Sequence, residues 1–242
     1  MRTSVRTTGG AGARERGRRA VSTPQRVQAP VLRVRALAKQ FGDQVVVDGA
    51  GLDVPGGSVL GLVGPAGSGK TTLLAMVTGL LPPDEGTVQV LGVDAWAQHA
   101  RARQLVAAMP DDDAVPDSLT GRELLIWKGL VAGLDARTAA EAAGLLLRAT
   151  GLAEAEGRTV AEYTVGMRRR ICLATALVRR PKLLVLDDPF AGVDEDSAAT
   201  MRVVLRSFTA EGGSVLLASR SAESVCDLVC AVERGRVATG QR

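Results

Sequence analysis

Residues 64–72 read GPAGSGKTT and fit the pattern G-x-x-x-x-G-K-[ST] through Gly64, Gly69, Lys70 and Thr71. Glycines at this spacing let a loop take positive φ and turn its backbone N–H groups inward, and with the N-terminus of the next helix those groups cradle a phosphate chain. Pro65, Ala66, Gly67 and Ser68 complete the loop and Thr72 follows it. In such a loop the lysine reaches the β- and γ-phosphates and the Thr71 hydroxyl ligates Mg²⁺. The metal needs a second anchor, and the stretch PKLLVLDDPFAGVD, residues 181–194, provides one. There Asp187 closes a run of four apolar residues, where a strand end can present a carboxylate to the metal's shell. Alone, the pair Asp187–Asp188 before a proline would read as a solvated turn.

The elements around these residues follow from pattern. SVLGLVG before the loop is a buried strand, and TTLLAMVTGLL after it is a helix that ends at Gly79 and Pro82. Upstream, VLRVRAL and VVVDGAGLDV read as strands; TVQVLG and QLVAAM read as two more around a helical stretch containing His99. From Thr120 to about Ala155, leucines recur at three and four residues, which predicts two or three helices inserted before the sheet resumes. PKLLVLDD, GSVLLAS and CAVERGRVATG resume it, each expected to follow a helix. Strands alternating with helices on both sides of an insertion imply a mostly parallel α/β sheet with a helical subdomain.

With 46% hydrophobic residues among 242, the chain can build a sizeable core. No apolar run reaches the length of a membrane-spanning helix. The first 30 residues hold seven arginines against Glu15, a net +6, while the whole chain carries +4, so the remainder carries −2. Residues 1–30 lack hydrophobic periodicity and read as a disordered, solvated Arg-rich tail, with anionic lipid or nucleic acid the less favoured partners. Cys172, Cys226 and Cys230 are too few for a disulfide framework, and a reducing cytosol is the expectation. Cys226 and Cys230 read as small hydrophobes rather than metal ligands, His99 as an exposed helical residue, and Trp96 and Trp127 as packing residues.

Taken together, these motifs resemble the nucleotide-binding domains of ABC transporters, in particular the ATPase subunits of ABC-2 type exporters, over about residues 31–242. The resemblance implies an α/β P-loop fold whose parallel core carries an antiparallel β subdomain and an inserted helical subdomain at about 112–165. It implies ATP and Mg²⁺ as ligands. Phe41 in LAKQFGDQ corresponds to the aromatic residue that stacks on adenine, the other reading being a core phenylalanine. YTVGM, residues 163–167, corresponds to the signature motif that grips the γ-phosphate of a second domain, with Thr164 and Gly166 as its contacts. Asp194 in AGVD corresponds to the carboxylate of the loop that crosses the dimer interface. The partners implied are a transmembrane permease and a second ATP-binding domain, identical or different, with no nucleic acid expected. The implied location is cytoplasmic, peripheral on the inner face of the cell membrane.

Four positions depart from the family pattern. Asp188 stands where the water-polarising glutamate is usual and is one methylene shorter; Arg220 replaces a histidine; Val165 replaces the first signature glycine; Asp111 replaces the glutamine that senses Mg²⁺ and contacts the permease. Asp111 retains a metal-ligating carboxylate, or the trio Asp111 to Asp113 forms a solvated loop. The expectation is a weakly hydrolytic ATPase with Asp188, Arg220 and Asp111 as its catalytic groups. Its alternative is a nucleotide-gated, nearly non-hydrolytic module, the degenerate half of a heterodimer or a regulatory scaffold.

Overall fold

A computed structural model describes residues 29–239. The tail expected over residues 1–30 lies almost wholly outside the described residues. β1 (Leu32–Phe41) and β2 (Gln44–Val54) form a hairpin at the two-residue turn Gly42-Asp43, with Gly42 at φ +56. With β4 (Glu85–Val90) and β5 (Val93–Asp94) they make an antiparallel sheet of order β2-β1-β4-β5. β1 alternates: Leu32, Val34 and Leu37 point into the core while Arg33 and Arg35 face out, so one face of this sheet is covered and the other is wet.

The second sheet has six strands in the order β10-β9-β3-β8-β7-β6. β3 (Val59–Val63), β7 (Leu183–Asp187) and β8 (Ser214–Ser219) are near-continuous apolar runs because helices bury both faces. β6 (Val106–Ala108) lies parallel to β7, and β9 (Leu228–Glu233) parallel to β3. Only β10 (Arg236–Thr239) pairs antiparallel, with β9. The wedge between the two sheets holds one core, in which α1 (Lys70–Val77) buries Leu73, Leu74, Met76 and Val77. Each such side chain withdrawn from water contributes about 1.5–3 kcal/mol.

α2 (His99–Leu105) precedes β6, while α3 (Gly121–Val131) and α4 (Ala136–Ala149) form the helical layer ahead of α5 (Val165–Leu177). Thr120 and Glu123 close a reciprocal capping box at the start of α3, and the Asp135 carboxylate accepts from the Thr138 amide at α4. Ala139, Ala143 and Leu147, four apart on α4, are the residues of that helix that are fully buried. At its end Arg170 of α5 donates to the Thr150 and Gly151 carbonyls, a cation placed on a helix C-terminus. α6 (Glu195–Ala210) lies between β7 and β8.

Three expectations are corrected. No helix precedes β9: the link from β8 to β9 is residues 220–227, about eight residues, where a parallel crossover ordinarily takes a dozen or more. It is pinned instead, since the Asp227 carboxylate accepts from the Val59 amide at 2.8 Å and Cys226 lies against Gly61, where an added Cβ would meet its Sγ at 2.7 Å. His99 is half-buried rather than exposed, stacked on Trp96 with its Nε2 3.1 Å from the Gly79 carbonyl just past the end of α1. Trp127 is 43% exposed on the outer face of α3, so it is a surface residue, whereas Trp96 packs against the core.

Cys230 is buried in β9, and Cys226 is half-buried, as small hydrophobes. Among the described residues no three His, Cys, Asp or Glu side chains cluster as a metal site, and no helix is long and apolar enough to cross a membrane. Cys172, inside α5, has its thiol pushed up to about 12, chiefly by burial and then by the Asp112 carboxylate. At about pH 8 it is therefore a neutral thiol, and native protein treated with iodoacetamide should carry no label at Cys172 by mass spectrometry, whereas protein unfolded in urea should carry it fully.

Candidate functional site

The loop 64–69 joins β3 to α1 and makes one wall of a cavity of about 290 Å³. Gly67 at φ +75 and Gly69 at φ +98 hold the backbone in the left-handed region, as the loop requires. Gly69 is the N-cap of α1 and has no side chain to satisfy the first-turn amides, and no acidic residue stands in that turn. Those N–H groups, with the positive end of the helix dipole, face the cavity and are suited to an anion.

Lys70 is only 8% exposed. Its Nζ donates to the Gly64 carbonyl at 2.7 Å and the Pro65 carbonyl at 2.9 Å, which draws the loop around the ammonium. A Cβ at Gly64 would collide with the Val232 carbonyl, so the loop's first residue must be bare. Thr71 and Thr72 line the cavity from the helix side.

The opposite wall is built by the sheet. β7 runs parallel to β8, with Asp187 registered to Ala218, and the Asp188 amide donates to the Ala218 carbonyl at 2.9 Å. β8 runs parallel to β3, with Ser219 registered to Val63, and the Gly64 amide donates to the Ser219 carbonyl at 3.3 Å. Asp187, Asp188 and Arg220 thereby emerge at the carboxyl ends of adjacent strands, where ligands of open α/β sheets sit, and all three line the cavity with Lys70 and Thr71. Asp188 has φ +45, a left-handed conformation that Asp tolerates better than most residues. Its Oδ2 lies 3.9 Å from Arg220 Nε; both side chains are well exposed, so the pair is loose and solvent-screened.

A bundle of inward amides, one lysine, one threonine hydroxyl and two carboxylates suits a polyphosphate carrying a divalent cation. The carboxylates and the hydroxyl are hard oxygen ligands of the kind Mg²⁺ takes.

Other expected site residues fall elsewhere. Phe41 is 49% exposed at the tip of the β1–β2 hairpin, with Lys39 Nζ 5.6 Å above its ring, and Val46 rather than Phe41 contributes to the cavity wall. Asp111 is exposed on the loop after β6 and does not line the cavity. Its neighbour Asp112 is the residue tied to α5, through Arg169 at 3.4 Å and the Cys172 thiol.

Thr164 caps α5 by accepting from the Met167 amide at 3.3 Å, and Val165 beside it is 56% exposed. Gly166 is buried against the start of α6, where an added Cβ would run into the Asp194 carboxylate and the Ser197 hydroxyl. Asp194 is the N-cap of α6; its hydrogen bonds to Ser197 hold its carboxyl below the usual range, with Arg170 a lesser cause. A Gly166→Ala chain should consequently lose about 1–3 kcal/mol of stability through overpacking, read as a lower urea midpoint at unchanged slope.

Motif spacing missed a brace behind the loop. The Gly235 amide, in the β9–β10 turn, donates to the Ser68 carbonyl at 3.0 Å, and the Gly235 carbonyl accepts from the Asp48 amide at 2.9 Å. The Val46 carbonyl is held so tightly between Gly69 and Gly235 that a Cβ on either would stand 2.5 Å from it. Arg236 and Asp48 close the junction with an ion pair at 2.8 Å. The RG dipeptide at 234–235 signals a turn in the sequence, but nothing local signals that it touches residue 68.

A protein-family model described as ABC transporter matches residues 47–191. The chain is 38% identical over 203 residues to the Nod factor export ATP-binding protein I of Sinorhizobium fredii, covering 83% of this chain and 59% of that protein. It is 35% identical over 204 residues to the daunorubicin/doxorubicin resistance ATP-binding protein DrrA of Streptomyces peucetius, covering 83% of this chain and 62% of that one. The match thus spans about three fifths of the length of these curated relatives. A solved structure described as the ATP binding subunit of an ABC transporter superposes with a TM-score of 0.77 at 25% identity, covering 86% of this chain and 88% of that one.

Proposed function

This chain belongs to the ABC transporter family of ATP-binding domains, and on that premise we propose that it is the ATP-binding subunit of an exporter. It would couple binding and slow hydrolysis of magnesium ATP to movement of cargo through a separate membrane permease. The observation that carries the reading is the uncapped, glycine-led start of α1 facing Asp187 across one cavity. The names of the relatives, one for export and one for drug resistance, favour the outward direction.

In this reading the amides of Gly67 to Thr72 and the Lys70 ammonium bind and orient the phosphates. Thr71 and Asp187 would hold Mg²⁺, which would supply neutralisation of charge on the phosphates. Asp188 orients the attacking water, and Arg220 faces the γ-phosphate. Phe41 stacks on the base from the hairpin tip, and Asp111 serves the contact with the permease. Thr164, Gly166 and Asp194 place the start of α5 against the nucleotide of a second ATP-binding domain, so that ATP draws the two together. The subunit would work at the inner face of the cell membrane.

The second reading, a nearly non-hydrolytic half of a heterodimer, is favoured by Val165, whose exposed branched side chain stands where close approach to a phosphate is needed. Turnover by the purified chain, alone and with candidate partner domains, separates the two. Failure to bind magnesium ATP at millimolar levels would end both.

The pH dependence is a further check. The sole histidine, His99, lies against the Gly79 carbonyl rather than lining the cavity. Turnover measured between about pH 6 and about pH 8 should show no inflection near about 6.5, the range in which a cavity imidazole would titrate.

A further inference from the structure

On the proposed reading, the two ends of a bound nucleotide rest on different sheets. The phosphates lie on the loop that follows β3, while Phe41 and Val46 belong to the β1–β2 hairpin of the antiparallel sheet. The core between the sheets is apolar, and apolar burial rewards area without fixing a direction. Hydrogen bonds do fix one, and they reach across at the two-residue turn Arg234-Gly235 between β9 and β10.

Both turn residues are left-handed, Arg234 at φ +48 and Gly235 at φ +78, the type I′ arrangement of a two-residue hairpin. Arginine seldom takes that conformation, so the surroundings must hold the turn in shape. Gly235 is buried and bonded on both sides: its amide donates to the Ser68 carbonyl of the phosphate loop, and its carbonyl accepts from the Asp48 amide of β2. The Arg236 guanidinium grips the Asp48 carboxylate with Nε at 2.9 Å and Nη2 at 2.8 Å. The Val46 carbonyl fills the remaining space, since a Cβ on Gly235 or on Gly69 would stand 2.5 Å from it. The same turn therefore touches the wall of the cavity through Val46 and its loop through Ser68.

We infer that this turn is the positioning element for nucleotide discrimination: by locking β2 against the phosphate loop, Gly235 and Arg236 set the spacing between the base platform and the phosphate cradle. The inference rests on the proposed reading of the cavity as the ATP site and adds what lets that site tell a nucleoside triphosphate from a bare polyphosphate. A ligand gripped at two points gains its second contact only when the two platforms already stand at the right distance, because the first contact then presents the base at high effective concentration. A loosened turn leaves both platforms intact and removes their spacing. Neither Gly235 nor Arg236 lines the cavity, so both act through Val46 and Ser68.

The test titrates the full chain with magnesium ATP and with magnesium tripolyphosphate by calorimetry and reads the ratio of the two affinities. In the parent, ATP should bind at least about tenfold more tightly, as stacking of one base provides. Gly235→Ala, whose Cβ pushes on the Val46 carbonyl, should cut that ratio at least about fivefold while tripolyphosphate affinity stays within about twofold. Retained tripolyphosphate binding verifies that the variant folds. Arg236→Glu, placed opposite Asp48, should cut the ratio about threefold, the smaller effect of an exposed pair, and adding Asp48→Lys should restore it.

Should Gly235→Ala not fold, Arg236→Glu and the charge-swapped chain decide by the same ratio. Equal weakening of both ligands would overturn the inference and make the turn a plain support of the loop. An unchanged ratio, or no recovery in the charge-swapped chain, would overturn it as well. A parent that binds tripolyphosphate as tightly as ATP has no base platform, which overturns the inference and leaves the phosphate site standing. A parent that binds neither brings down the inference and the ATP reading together.

Discussion

A Lys70→Ala chain should lose affinity for magnesium ATP by at least about a hundredfold, because charge-assisted hydrogen bonds contribute about 1.5–3 kcal/mol each and an ammonium can make more than one to a polyphosphate. The lysine is nearly buried, and its Nζ donates to the Gly64 and Pro65 carbonyls. The ammonium is therefore already held at the mouth of the loop and loses little freedom when a phosphate replaces those carbonyls. Alanine removes the charge and leaves the two carbonyls without the ammonium that they share. Stability should fall as well, by about 1–3 kcal/mol, because the buried Gly64 carbonyl loses its donor. Binding is to be measured by titration calorimetry beside a thermal melt. If Lys70→Ala takes up magnesium ATP as tightly as the parent, the cavity beside α1 is not the nucleotide site and the roles given to Thr71 and Asp187 fall with it.

An Asp188→Glu chain should hydrolyse ATP about ten to a hundred times faster than the parent. The argument is one of reach. The Asp188 carboxylate ends one methylene short of a glutamate, and a misplacement of about 1 Å can cost on the order of a hundredfold. At its present length the group lies near Arg220 Nε, 3.9 Å away. The extra methylene would carry the carboxylate past that cation toward the space in front of Lys70. The left-handed φ of +45 at this residue opposes the gain modestly, because glutamate tolerates that conformation less well than aspartate. The apparent KM for ATP should stay within a few-fold, since the amides and lysine that bind phosphate are untouched. A variant no faster than the parent would mean that Asp188 is already well placed or does not act on water.

The glycine-rich loop between β3 and α1 and the strand that ends at Asp187 were legible in the sequence because each is specified locally. The glycines at 67 and 69 sit where the backbone turns left-handed, and four apolar residues before Asp187 define a buried strand whose end must surface. The helical insertion was legible for the same reason, since leucines recurring at three and four residues predict helices there, although that spacing did not settle which faces are covered: Leu130 and Leu145 are exposed. What escaped is everything decided by register between distant segments. Nothing near Val46 says that its carbonyl is wedged between two glycines 166 residues apart, Gly69 and Gly235. Gly166 was expected only for a phosphate contact with a second domain, and the approach of α6 adds a reason for its bare backbone, which makes room for Asp194 and Ser197. Trp127 was assigned to packing on residue type alone, and the angular position of one residue on a short helix sends it outward. The helix expected before β9 failed on length: helical spacing was inferred where too few residues were left to travel up one helix and return.

The brevity of that link carries a mechanical corollary. β3 is five residues long, about 17 Å of strand, and the eight residues from Arg220 to Asp227 must descend that distance while crossing over a neighbouring strand. Both ends are fastened, one by the strand hydrogen bonds of β8 and the other by the Asp227 carboxylate on the Val59 amide. Fastened so, the tether keeps the backbone of its first residue close to the end of β8. The backbone at Arg220 is thus tied to the sheet, while its exposed guanidinium, held only loosely by Asp188, can reorient at the cavity rim.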